Sequence, residues 1–579
     1  MSDEALAKSD ELFKHDLHSC TIRFPLSLPI MRYLSNVPFF RHSRNLIHCL
    51  ILALSLGTVA TAERPNIIFI LTDDQRYDTL GVTGDKFIST PNLDQLAADG
   101  VLFANASVNS AICTPSRACY FLGQYERRHG VNFNSGTAMA PEAWAQSYPL
   151  KLREAGYFTG YVGKNHVPIG EQGYKTGIIE NSFDYWYASH GHLSFYPKER
   201  HDIFQHAEAD TQLEVIGEGL QSFLNSADGF ITGAKSFLQE RPQDQPFALS
   251  IALNLPHGSS TGTMQLRPTD DALYRTTYRD RLGEITFPST YVSREHIDTP
   301  KLPVEVLHTD FRQGIYDYVD TPEKLTERLV RKTQTITGID RFVAAIRKTL
   351  EQLDEAENTI IVFTSDHGMM RGEFGLGGKA LNYESCLKVP LIIYDPRVPA
   401  AQRGRRSMAL TESVDIAPTL LDYAGANAPK TMQGLSLRPL VEGRATDLRD
   451  TSFAENLWST YFGNPRIESV RTKAWKYIRY FKNDRTQFAN VTTKTPYVVT
   501  PSQADHYAQW LTSSIKGEQP VYEELFHLAS DPKETTNLAD RPAYIAKLAE
   551  LRAECQRLVT LAKGDVNVAP ATVQTVAAK

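Results

Sequence analysis

The segment Pro65-Asn66-Ile67-Ile68-Phe69-Ile70-Leu71-Thr72-Asp73-Asp74 runs through an unbroken apolar stretch and stops at two adjacent acids. A strand with one wet face would alternate apolar and polar side chains. A continuous run therefore predicts a strand covered on both faces, as in a parallel sheet. The pattern recurs in residues 246–255, which lead into Pro256-His257, in Thr359-Ile360-Ile361-Val362-Phe363-Thr364-Ser365-Asp366-His367, and in Pro390-Leu391-Ile392-Ile393-Tyr394. Helical spacing lies between these runs. Residues 92–99 and 150–155 are short examples. Residues 324–353 are a long one, striped by Leu325, Leu329, Ile336, Ile339, Phe342, Ile346 and Leu350, with a period near 3.6. Strands alternating with helices predict an α/β fold, a large and mostly parallel sheet flanked by helices. Such sheets gather their chemistry at the carboxyl ends of the strands, and these ends carry Asp73-Asp74, His257 and Asp366-His367.

Outward from that frame, residues 260–322 are rich in Arg, Asp, Thr and Pro and read as a long excursion over the site. After Gly425 the pattern changes. Residues 451–455, 469–480 and 523–527 read as short strands and 543–561 as a helix, which predicts a smaller C-terminal α+β domain. At the other end, Arg41, His42 and Arg44 precede a short apolar run at 46–59 that closes with Ala60-Thr61-Ala62. That order reads as a secretory signal peptide, with Met31 as an alternative start, and the run is short for a membrane span. The expected division is 1–62 leader and signal, 63–428 catalytic domain, and 429–579 C-terminal subdomain. The mature chain is expected to be exported, periplasmic or secreted, with no stable membrane span.

With 579 residues the chain exceeds one hydrophobic core. A formal net charge of -6 gives no basic footprint for nucleic acid. Of six cysteines, Cys20 and Cys49 fall in the leader. Cys113, Cys119, Cys386 and Cys555 remain, too scattered to be a disulfide framework. A cysteine kept beside Pro115-Ser116-Arg117 in an exported chain calls for a chemical role.

Two adjacent carboxylates repel each other unless a cation lies between them. Asp73-Asp74 and Asp366-His367 therefore describe an oxygen-rich metal cage on two strand ends, suited to Ca²⁺ or else Mg²⁺ or Mn²⁺. His367 is the unusual member for calcium. In Cys113-Thr114-Pro115-Ser116-Arg117-Ala118-Cys119-Tyr120-Phe121-Leu122-Gly123, Pro115 suits a first helical turn and Gly123 a helix end. Cys113 then sits at the helix N-terminus, where an anion is favoured, and Arg117 lies one turn on. Lys164 and His166 share one side of an extended segment, able to hold a negative oxygen and to move a proton. His257 and Lys379 are placed to assist a departing oxygen. Each of these is weak alone, since a lone Lys-x-His is usually a solvated edge.

Together the pieces resemble the formylglycine-dependent (type I) sulfatases of the alkaline phosphatase superfamily. The resemblance rests on residues 66–74, 113–123, 156–166, Pro256-His257, Ser365-Asp366-His367-Gly368 and Lys379, in family order. A tail of Glu524-Leu525-Phe526-His527-Leu528, Asp531-Pro532-Lys533-Glu534 and Asn537-Leu538 looks like the family's C-terminal signature. His367, with Tyr383-Glu384-Ser385 before Val389-Pro390, is similar to the iduronate-2-sulfatase and choline-sulfatase branch. The chain departs from the family at Leu122, where Thr is usual, and at Gly258, which leaves His257 without a second histidine.

The resemblance implies an alkaline phosphatase-like fold. It implies that Cys113 is oxidised to formylglycine by a formylglycine-generating enzyme. It also implies one Ca²⁺ per chain held by Asp73, Asp74, residue 113, Asp366 and His367. Arg117, Lys164, His166, His257 and Lys379 are the expected catalytic partners. The expected substrate is a sulfated small molecule or glycan. Trp186, His190, His192 and Arg371 are candidates for its pocket. Two other readings stay open: a phosphonate monoester or phosphodiester hydrolase on the same fold, and a calcium-binding protein with an unmodified Cys113.

Overall fold

The computed structural model describes residues 64–132, 137–190, 232–257, 276–307, 316–457, 465–482, 501–564 and 571–572. The expected leader and signal peptide, His192 and parts of the 260–322 excursion lie outside the described residues.

Residues 64–579 form one compact unit around an eight-stranded sheet. In chain order the strands are β1 (Asn66–Thr72), β2 (Val101–Ser107), β3 (Phe158–Asn165), β4 (Tyr185–His190), β5 (Phe247–Ala252), β6 (Thr359–Ser365), β7 (Leu391–Tyr394) and β8 (Arg405–Glu412). They lie in the order β8-β2-β7-β6-β1-β5-β3-β4. β1 is central and pairs in parallel with β5 and β6. Every residue of β1, β5 and β6 is buried, as continuous apolar runs require. β7 alone runs antiparallel, against both β2 and β6. Its apolar run reads the same in either direction, so only the register reveals this.

The helices follow the spacing. α1 (Pro91–Asp99), α2 (Cys113–Leu122), α3 (Tyr148–Glu154), α4 (Pro322–Gln352), α5 (Ile416–Tyr423) and α6 (Ile545–Lys563) include the three predicted between strands and the one near the C-terminus. α4 begins where Thr321 accepts a side-chain hydrogen bond from the Lys324 amide, with Pro322 at its first position. Its stripe packs Ile336, Ile339, Phe342, Val343 and Ile346 onto Ile68, Ile70, Ile361 and Phe363 of the sheet. The opposite sheet face carries Phe69, Leu71 and Val362 and packs with Tyr120, Phe121 and Tyr148.

A second, antiparallel sheet holds β9 (Ser452–Asn456), β10 (Arg466–Arg471), β11 (Lys476–Phe481) and β12 (Tyr522–Phe526), in that order. Residues 469–480, expected as one strand, are instead a hairpin of β10 and β11. Thr472 breaks the run: its Oγ1 accepts from the amides of Ala474 and Trp475 and turns the chain.

Buried ions tie this sheet to the segment after α2. Arg127 is fully buried. It donates to Glu455 Oε2 at 2.6 Å and to Glu468 Oε1 at 2.7 Å. Arg127→Met would strand buried Glu455 without a counter-charge and leave Glu468 with Arg479 alone, so about 3–5 kcal/mol of unfolding free energy should be lost. Denaturant unfolding measures this; a loss under roughly 1 kcal/mol, the range of an exposed pair, would mean the triad is not holding the sheet in place.

Candidate active site

The carboxyl ends of the central strands meet at one point. Asp73 and Asp74 follow β1. The Asp73 amide donates to Leu255 O at 2.8 Å, and the Asp366 amide donates to Thr72 O at 3.0 Å. These bonds lock the ends of β1 and β6 and the segment leading to His257 together. Asp74 has φ of 60°, a left-handed conformation uncommon outside glycine. Its amide donates to Asp366 Oδ1 at 3.1 Å and its carbonyl accepts from Lys332 Nζ at 2.9 Å. The turn is thus clamped on both sides.

α2 brings Cys113 to this point. Ile112 is extended, the helix starts at Cys113, and Gly123 closes it in a left-handed cap. Cys113 Sγ lies 3.0 Å from Lys379 Nζ, 3.3 Å from His367 Nε2 and 3.7 Å from Asp73 Oδ1. Lys379 Nζ also donates to Asp74 Oδ1 at 2.9 Å, and Lys164 Nζ to Asp73 Oδ2 at 2.5 Å. Gly163, just before Lys164, has φ of +104°, and a Cβ there would stand 2.1 Å from Ala252 O. Glycine therefore permits the β3–β5 approach that delivers Lys164.

Arg117 does not reach back to Cys113. Its Nε donates to Asp366 Oδ2 at 3.1 Å, its NH2 lies 3.3 Å from Asp73 Oδ2, and its NH1 donates to Lys164 O at 3.2 Å. It braces the acids. His257 Nε2 stands 3.8 Å from Asp74 Oδ2. His166 is buried directly after β3.

The electrostatics follow from burial. Burial pushes the Cys113 thiol up to about 12, against Lys379 and Lys164, so an unmodified thiol here stays protonated and is a poor nucleophile at neutral pH. Burial also works to raise Asp73 and Asp74. Lys164 chiefly at Asp73, and Lys379 chiefly at Asp74, overcome it and hold both well below the usual carboxylate range. Burial lowers Lys379, but Asp74 and Cys113 keep it well above the ordinary lysine value. Burial takes His257 down to about 3 despite Asp74 and Asp73, so its ring is neutral at pH 7.

The residues also suit a metal. Ligand atoms of Asp73, Asp74, Cys113 and His367 all lie within 4.8 Å of one another. Asp74 Oδ2 is buried and accepts no hydrogen bond. His367 Nδ1 is 2.9 Å from the Gly368 carbonyl; a proton there leaves the Nε2 lone pair facing the centre. Carboxylate oxygens fit a hard divalent cation. Asp366, the fifth expected ligand, lies outside this group of four, its oxygens taken by the Asp74 amide and Arg117.

The pocket candidates fare differently. Trp186 stacks on Tyr161 with ring centroids 5.2 Å apart, in the aromatic cluster of Phe183, a packing position. Only the backbone pairing of His190, with Asn165, is described. Arg371 lines a cleft of about 470 Å³ beside the segment that follows Asp74. Sequence reasoning missed Lys332 and Arg328. Their signal was spacing: both fall on the Leu325, Leu329, Ile336 stripe, where a cation is out of place.

A buried thiol among acids and ammoniums at the ends of a mostly parallel sheet is the plan of a hydrolase for anionic esters. Residues 65–426 match the Sulfatase family, and residues 372–498 match the C-terminal part of N-sulphoglucosamine sulphohydrolase. The chain belongs to the sulfatase family and is a sulfuric ester hydrolase. An N-acetylglucosamine-6-O-sulfatase of Bacteroides thetaiotaomicron is 27% identical over 551 residues, covering 86% of this chain and 88% of the relative. An arylsulfatase of Clostridium perfringens is 26% identical, covering 84% and 93%. Among solved structures, a protein in complex with its substrate D-glucosamine-2-N,6-O-disulfate superposes with a TM-score of 0.59 at 23% identity, over 86% of this chain and 98% of that one. A phosphonate monoester hydrolase of Agrobacterium radiobacter also gives 0.59, at 20% identity, over 88% and 100%. These likenesses concern the fold alone. Among the described residues no helix is long and apolar enough to cross a membrane.

Proposed function

We propose that the protein hydrolyses sulfate esters of a carbohydrate, with formylglycine at position 113 and one bound Ca²⁺. The observation that carries this reading is the place of Cys113 Sγ, 3.0 Å from Lys379 Nζ and within ligand distance of Asp73, Asp74 and His367. The names of the relatives, N-acetylglucosamine-6-O-sulfatase and ulvan-active sulfatase among them, support a sugar substrate.

A hydrated aldehyde at 113 would supply one hydroxyl to attack sulfur and a second to release the sulfate. The divalent cation would polarise the attacking oxygen and the ester. The chain's own residues then take defined parts. Asp73, Asp74 and His367 hold the cation, with Asp366 as an outer member. Arg117 fixes Asp73 and Asp366 in place. Lys164 and Lys379 offer ammoniums to sulfuryl oxygens, and Lys379, kept charged beside Asp74, is the group set to meet the departing oxygen. His257, neutral in this setting, donates or accepts a hydrogen bond there. His166 takes the proton released when sulfate leaves. The formylglycine-generating enzyme is the partner needed for maturation, and export through the leader is part of the reading.

Lys379→Ala should lower kcat for a sulfated sugar by on the order of 10²-fold, with a smaller loss on aryl sulfates whose leaving group needs no proton. Equal losses on both substrates would refute the leaving-group role. The phosphonate reading shares every residue above. A side-by-side assay of a sulfated monosaccharide, an aryl sulfate and an aryl phosphonate ester decides, and faster phosphonate turnover would overturn the proposal.

A further inference from the structure

Arg328 and Lys332 stand on the buried side of α4, and among the described residues neither meets a hydrogen-bonded carboxylate. Arg328 is 2% exposed. Its guanidinium carbon lies 3.3 Å over the Tyr318 ring, its NH2 donates to Met369 Sδ at 2.9 Å, and its NH1 has no hydrogen-bond partner. Lys332 is 3% exposed. Its ammonium bonds the Asp74 carbonyl and stands 3.7 Å from the same sulfur. Arg371, two residues beyond Met369, has a buried Nε without a partner. The acid beside it, Asp78, is 4.0 Å from its NH1 and already bonds Arg76 at 2.9 and 2.7 Å.

A guanidinium does not shed its proton in a protein, and a buried cation without an anion is strongly disfavoured. The guanidiniums of Arg328 and Arg371, each with a buried N–H group unpartnered among the described residues, therefore call for a negative group, and the Lys332 amine shares the Met369 sulfur with Arg328. Asp74 attracts Arg328 and Lys332, but among the described residues no acid hydrogen-bonds any of the three side chains. Asp73 and Asp74 face Lys164 and Lys379. In the adjoining cleft, Glu373 bonds Arg76, Glu384 bonds Arg471 and Glu534 bonds Lys476. We propose that Arg328, Lys332 and Arg371 form a second oxyanion subsite, which receives a further sulfate or carboxylate carried by the substrate. Lys332 is bonded to Asp74, itself in the ester-cleaving cluster, so the two anions would belong to one saccharide unit or to neighbours. Arg371 opens onto the cleft and marks the way in. This rests on the sulfate-ester reading and narrows it to multiply charged sugars.

The test is equilibrium titration of Cys113→Ala protein, which needs no turnover, with a panel of disaccharides carrying one sulfate, two sulfates, or a sulfate and a carboxylate. A second anion should tighten binding tenfold or more, with an advantage that shrinks as salt rises. Arg371→Ala and Arg328→Gln should bring the ratio close to one, and Arg328→Lys should keep most of it. Arg371→Ala decides if the Arg328 variants fail to fold, because its side chain reaches the surface. No preference for a second anion anywhere in the panel, or a preference untouched by Arg371→Ala, overturns the subsite. A preference that holds while the matured wild-type enzyme cleaves no sulfate ester would leave the subsite standing and remove the sulfatase chemistry proposed above.

Discussion

Cys113→Ala protein is expected to lose sulfate-ester hydrolysis by on the order of 10⁵-fold or more, since removal of a nucleophile leaves only binding and electrostatic assistance. The structure explains why the residue cannot serve as it stands. Burial holds its thiol near 12, so the thiolate fraction at pH 7 is negligible. On the proposed reading, modification is what gives the position a nucleophile. Mass spectrometry of the peptide around residue 113, from protein made with the maturation enzyme present, should show the aldehyde in place of the thiol. Cys113→Ser should give a single burst of alcohol and then stop, because one hydroxyl can accept the sulfuryl group but none is left to expel it. A thiol-bearing protein that turns over at the full rate would remove the formylglycine from the account.

Stripping divalent cations should lower kcat/KM by at least roughly 10²-fold, with Ca²⁺ restoring it. The same titration has a readout independent of catalysis. Cation binding to the folded state alone raises stability by about 2.7 kcal/mol at a hundred times its Kd, so the melting temperature should climb with added Ca²⁺. Asp74→Asn should abolish that climb, because it removes charge from the cluster member whose Oδ2 is buried and accepts no hydrogen bond. Metal-free protein, verified by elemental analysis, with unchanged activity and unchanged melting would end the metal reading.

Several parts of this protein are legible from its chain alone, for local reasons. A strand buried on both faces must be apolar throughout, so residues 67–71 and 360–363 announce themselves, and the acids that end them mark where the sheet meets its chemistry. A helix that packs on such a sheet must repeat near every 3.6 residues, so α4 could be read within two residues at each end. The hairpin at 472–475 was hidden because the turn rests on one threonine hydroxyl rather than on Gly or Pro. The sense of β7 was hidden because a short apolar run has no direction.

The chain by itself determined the family, the acids at the strand ends, and Cys113 at the head of a helix, since each is a pattern within a few consecutive residues. The tertiary structure alone decided which charges meet. It set Lys164 on Asp73 across 91 residues and Lys379 on Asp74 across 305, turned Arg117 toward the carboxylates, and left Arg328 and Lys332 buried with no hydrogen-bonded carboxylate among the described residues. Electrostatic interaction depends on separation in space and on the loss of water, and neither quantity is written in the order of residues along a chain.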